Sequence, residues 1–126
     1  MPATAIRVFR TRQGAVPLVE WLAEVRIAEP RAYHKSLQRM LLLASLGSEL
    51  RRPLADLLQD GIYELRIRVG PVNYRILYFF CGSNIACLSH GLTKEGVVPT
   101  SDIETAIERK KLVLSSLDRY TAEWGI

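Results

Sequence analysis

The chain is poor in the residues that build staples and metal centres. It holds two cysteines and two histidines in 126 residues, with no CxxC spacing and no clustered histidines. That scarcity points away from a disulfide scaffold and from a zinc site. Cys81 and Cys87 stand among apolar neighbours, where a free cysteine behaves as a small core residue. A disulfide or a metal site is the alternative reading, and a core role implies the reducing cytoplasm. Long apolar runs are missing too. Ile76-Leu77-Tyr78-Phe79-Phe80-Cys81 is the longest apolar-rich stretch, far short of the roughly 20 residues a membrane span needs. The opening residues carry no apolar segment of the signal-peptide kind, so neither secretion nor a membrane partner is expected. Low-complexity tracts and internal repeats are absent as well.

What remains is the balance of one ordinary folded domain, taken here as residues 1–126, with 48% hydrophobic and 24% charged residues. Seventeen basic residues against thirteen acidic ones give a net charge of +4. The excess fits a nucleic-acid or acidic-protein partner without selecting between them.

Hydrophobic periodicity divides the chain in the order βααβββα, an α+β arrangement. Residues 4–10 alternate apolar and polar and read as a strand. Pro17 opens a helix carrying Leu18, Leu22 and Val25, with Trp21 beside them. Pro30 opens a second, with Tyr33, Leu37, Met40, Leu41 and Ala44 on its face and Gly47 as its stop. The stretch around Arg51-Arg52-Pro53-Leu54 is irregular, and Asp60-Gly61 marks a turn. Three strands follow over 62–69, 72–81 and 84–90, joined by Gly70-Pro71 and Gly82-Ser83 as an antiparallel meander. The middle one is apolar on both faces and is expected to be central. Ser101 with Glu104 suggests a capping box for a last helix bearing Ile103, Ala106, Ile107, Leu114 and Leu117 on one side. The αα-hairpin should cover one sheet face, with the last helix at an edge or on the other face.

Strand parity supplies the candidate site. Tyr63, Leu65, Ile67 and Val69 point one way, and Glu64, Arg66 and Arg68 the other. Two-residue turns at both connections would place Arg66 opposite Arg75, and Arg75 opposite His90, in one row on one face. A slip of two residues keeps the shared face, and a slip of one destroys it. Like charges directly opposite one another are destabilising by roughly 0.2–1 kcal/mol. Either Glu64 offsets them as an ordinary ion pair, or the two guanidiniums and the imidazole gather around a phosphate. His90 taken alone is more often a hydrogen-bonded structural residue than a catalytic one, and Lys94 more often a solvated loop lysine.

The runs Gly61-Ile62-Tyr63-Glu64-Leu65-Arg66, Tyr74-Arg75-Ile76-Leu77-Tyr78 and His90-Gly91-Leu92-Thr93-Lys94 resemble the phage-derived, HigB-like branch of the RelE/ParE toxin superfamily. The resemblance extends over about residues 4–115. It implies a RelE-like fold, the toxin role in a type II toxin–antitoxin pair, and ribosome-dependent cleavage of mRNA without metal or other cofactor. It implies as partner a small antitoxin, often of the helix-turn-helix kind. Arg66 and Arg75 match the family's basic positions, and Lys94 its post-strand lysine. On this reading the 2′-hydroxyl attacks the adjacent phosphate. Arg66 and Arg75 stabilise charge, Lys94 supports them, and His90 transfers a proton near neutral pH. Arg68 is a candidate RNA contact, as is Tyr78, although parity puts Tyr78 on the opposite face from Arg75. The rival readings are a ParE-like, gyrase-inhibiting or otherwise non-catalytic toxin, and a prophage remnant that only binds its antitoxin. Glu95, an anion where relatives carry a second lysine, keeps the last one open.

Overall fold

A computed structural model describes residues 4–82, 84–93 and 95–124. Strand β1 (Ala5–Phe9) leads into helices α1 (Pro17–Ala28) and α2 (Pro30–Leu46) and a short 3₁₀ turn, Gly47–Glu49. Strands β2 (Ala55–Gln59), β3 (Ile62–Val69), β4 (Val72–Phe80) and β5 (Ile85–Thr93) follow. Helix α3 (Thr100–Ser115), the single turn α4 (Leu117–Tyr120) and strand β6 (Thr121–Glu123) complete the described chain. The six strands form one sheet in the order β2-β3-β4-β5-β1-β6, antiparallel except where β1 runs parallel to β5. This is the expected α+β, RelE-like architecture. Among the described residues no helix is long and apolar enough to cross a membrane.

Both helices of the hairpin start at prolines in their first turn, and α2 stops at Gly47 with φ of 56°. Their buried residues, Leu18, Leu22, Val25, Met40 and Leu43, pack on the face carrying Leu65, Ile67, Tyr74, Ile76 and Tyr78. Helix α3 covers the opposite face, where Ile103, Ala106 and Val113 meet Ile62, Leu77, Phe79 and Cys87. Both cysteines are buried free thiols in that second layer.

Several local expectations are corrected. Strand β2 lies directly after the stretch read as irregular, and β6 adds an edge strand that sequence periodicity missed. Leu41 and Leu114 face solvent, 50% and 61% exposed, instead of joining their helices' buried faces. The capping box does not form. Pro99 takes the N-cap position of α3 with no side-chain cap, which puts Ser101 inside the first turn.

Register is the correction that matters most. Val69 pairs with Val72 and Arg66 with Arg75, as the two-residue Gly70-Pro71 turn requires. On the other side of β4, Phe80 pairs with Ala86, one residue out of the expected register. A bulge then leaves Ser89 as an extra residue, because Tyr78 pairs with Leu88 but Leu77 with His90. The two single shifts add to two. Arg75 therefore lies opposite Leu92, not His90. His90 keeps the shared face but sits one diagonal step away.

Candidate anion-binding site

Strand β2 pairs with β3 no further than Leu65, and the Leu54 carbonyl takes the Arg66 N–H at 2.8 Å. From there β3 is a free edge, and a groove of about 520 Å³ opens beside it. Lys35 and Arg39 of α2, Arg66 and Arg68 of β3, and Asn73 and Arg75 of β4 line it. The groove thus wraps around the strand edge and draws cations from both faces of the sheet.

At its inner end Glu64 organises the two arginines that face each other across β3 and β4. The Arg66 Nε donates to Glu64 Oε2 at 3.1 Å, and the Arg75 Nε lies 3.0 Å from Glu64 Oε1 as an ion pair. Arg66 also reaches Asp56 at 3.2 Å, and Asp56 in turn holds Arg52 at 2.9 Å. The Glu64 side chain is only 3% exposed and that of Arg75 13%, while that of Arg66 stays 40% open to solvent. A carboxylate buried between two guanidiniums fixes their planes, and a fixed fork of N–H donors is what a phosphate oxygen needs. Glu64 therefore offsets the like charges, as the ion-pair reading expects, and holds both guanidiniums in place.

His90 is held differently. Its Nε2 lies 3.0 Å from Asp102 Oδ1 on α3, and its Nδ1 lies 2.7 Å from Ser89 Oγ. A carboxylate can only accept, so Nε2 carries the proton and Nδ1 accepts from the serine hydroxyl. Arg109 closes the network by donating to the Ser89 carbonyl at 3.3 Å, with its guanidinium 4.8 Å from the centre of the Phe9 ring. Burial pushes the His90 pKa below its ordinary value, against the opposing pull of Asp102. Both ring nitrogens are engaged, and the neutral form is favoured.

The structure thus brings Arg66, Arg68 and Arg75 to one groove and sets His90 on the same face in a separate network. Lys94 lies outside the described residues. Tyr78 is withdrawn from the set of RNA contacts: it is 1% exposed, packs against Tyr63 and Phe80 beneath the hairpin, and burial raises its phenol pKa above the ordinary range. Sequence reasoning missed Lys35 and Arg39. The available signal was a like-charge pair four residues apart on one helix, an arrangement that is unfavourable unless something anionic meets it.

Gly91, inside the motif run, has a packing reason. A Cβ there would overlap the indole ring of Trp21, which lies directly on the strand backbone.

A sheet of this order, with a hairpin on one face, a helix on the other and a cationic groove at a free strand edge, is an α+β architecture of the RelE type. The family model described as phage-derived protein Gp49-like (DUF891) matches residues 23–111 and so spans every candidate site position. The chain belongs to the Gp49-like family. That family is of the RelE toxin type and is associated with the toxins of toxin–antitoxin pairs, which work opposite an antitoxin. No curated protein matches the chain.

Proposed function

We propose that this chain is a HigB-like toxin that cleaves mRNA on the ribosome and is held in check by a small helix-turn-helix antitoxin. One observation carries the reading: Arg66 and Arg75, which line a cationic groove, are fixed by a shared buried carboxylate. Such an arrangement does little for folding that an apolar pair would not do better. It suits a reaction in which negative charge grows on phosphoryl oxygens.

The step is attack of the RNA 2′-hydroxyl oxygen on the adjacent phosphorus, with departure of the 5′-oxygen of the next nucleotide. The products are a 2′,3′-cyclic phosphate and a 5′-hydroxyl end. Arg66 and Arg75 stabilise the charge on the non-bridging oxygens, with Lys94 supporting them and Arg68 holding the strand. Preorganised donors of this kind account for the largest share of many rate enhancements. His90 transfers a proton only after Asp102 or Ser89 lets go of a ring nitrogen, so its share is smaller than that of the arginines. Electrostatics leads and acid–base catalysis follows.

The test is induced expression with mapping of mRNA 5′ ends. New 5′-hydroxyl ends within translated codons are expected. Intact mRNA with arrested DNA replication would favour the gyrase-directed alternative, and unimpaired growth the remnant that only binds an antitoxin.

A further inference from the structure

The groove is ordered like a ladder that runs from the reaction centre toward the end of β3. The Arg39 Nε donates to the Arg66 carbonyl at 3.3 Å, and the Lys35 Nζ donates to the Arg68 carbonyl at 2.8 Å. Four residues along α2 advance about 6 Å, and two residues along β3 advance nearly 7 Å. The steps match, so two rungs form, Arg39 with Arg66 and Lys35 with Arg68, each joining a helix cation to a strand cation around the free edge. The first rung has carboxylate partners in Glu64 and Asp56. The second has none: among the described residues no carboxylate pairs with Lys35 or Arg68, nor with Arg39 on the first rung, and the described hydrogen bonds of all three go to backbone carbonyls. Each carbonyl occupies one donor, while a lysine ammonium has three and a guanidinium five.

We infer that Lys35, Arg39 and Arg68 form a second phosphate subsite, so that the groove holds two successive phosphates of one RNA single strand around the free edge of β3. The inference rests on the mRNA-cleaving reading and adds the path of the substrate to it. Charges that repeat along a line fit a linear polyanion better than an isolated anion. An acidic peptide is the other linear polyanion, and its usual route onto such an edge is to add a strand. That route is obstructed, because Arg39 and Lys35 already occupy the two carbonyls a new strand would use. Side-chain cations with spare donors remain, and guanidinium forks suit phosphate oxygens.

The experiment titrates the full chain with a fluorescent 2′-O-methyl pentauridylate, which cannot be cleaved, at several salt concentrations. The Lys35→Gln, Arg39→Gln double variant should bind about tenfold more weakly. Its slope of log affinity against log salt should be shallower by about 0.7, the value of one phosphate contact on a single strand. Because those two side chains also cap β3 carbonyls, Arg68→Gln serves as a second variant that leaves the caps in place. It should weaken binding in the same direction, and Arg39→Lys should retain most of the affinity. Unchanged affinity and slope in Arg68→Gln and the double variant would overturn the subsite. So would a wild-type chain that fails to bind the oligonucleotide, or one from which hexaglutamate displaces RNA at equal charge concentration. Mapped cuts in translated mRNA would leave the catalytic reading standing in each of those cases.

Discussion

The two faces of strands β3 and β4 are built from alternate residues of the same few positions, yet they do opposite things. Toward the hairpin, Leu65, Ile67, Tyr74, Ile76 and Tyr78 are all buried in one apolar layer. Toward α3 the layer starts apolar with Ile62, Leu77 and Phe79, then turns charged at Glu64, Arg66, Arg68 and Arg75. The change begins at Glu64, one residue before the last β2 pairing at Leu65, and the strand edge opens beyond it. The hairpin face is thus committed to stability, and the charged end of the other face is available for binding.

Neighbouring residues test that division most sharply. Ile67, 1% exposed, and Arg68, exposed, are adjacent in sequence and point to opposite faces. Ile67→Ala should destabilise by about 2–5 kcal/mol in urea unfolding, whereas Arg68→Ala should stay within about 0.5 kcal/mol. Similar losses for both would erase the distinction. Glu64→Gln should cost about 2 kcal/mol, below the roughly 3–5 kcal/mol for breaking a fully buried ion pair, because Arg66 is 40% exposed and keeps Asp56. It should also loosen both arginines, so cleavage should fall by more than the stability loss explains. Gly91→Ala tests the hairpin side again. The new methyl must displace Trp21, and overpacking of this kind costs about 1–3 kcal/mol, read as a lower melting temperature.

The smallest effect concerns pH. His90 has a pKa lowered in the fold by burial, from an ordinary value of 6.5. The unfolded chain therefore takes up this proton more readily than the folded one. The contribution to stability is present above pH 6.5 and is lost as pH falls through the folded value. Unfolding midpoints should drop on acidification below neutrality, and His90→Asn should flatten that part of the curve. Identical curves for the two proteins would detach His90 from the effect.

Much of this is legible in the amino-acid sequence, for physical reasons that can be named. Pro17, Pro30, Gly47, Asp60-Gly61 and Gly70-Pro71 mark helix starts, a stop and turns through their backbone preferences, and the structure keeps each of them. The facing of Arg66 and Arg75 follows from one short turn and the period of two. The position of His90 did not follow, because a bulged residue such as Ser89 leaves no local trace in the alternation of β5. Strand β2 escaped notice because only one side of Ala55–Gln59 is paired and its burial is patchy. Lys35 and Arg39 escaped because their meaning depends on carbonyls 33 and 27 residues away, respectively. Residues joined by a short turn could be placed from sequence, and those joined only by packing could not.

The central claim is that a fixed pair of arginines on the charged face is the reaction centre, and Arg75 tests it most directly. It lies on a strand paired on both sides, amid apolar neighbours, and shares the buried Glu64 carboxylate with Arg66, which still meets that charge when Arg75 is removed. The measurement is single-turnover cleavage of mRNA on programmed ribosomes by wild type, Arg75→Ala and His90→Asn, with circular dichroism to confirm folding. Arg75→Ala should remain folded and lose about a hundredfold or more in rate, the cost of one preorganised charge-stabilising group. His90→Asn should lose less. A folded Arg75→Ala protein that cleaves at the wild-type rate would contradict the account.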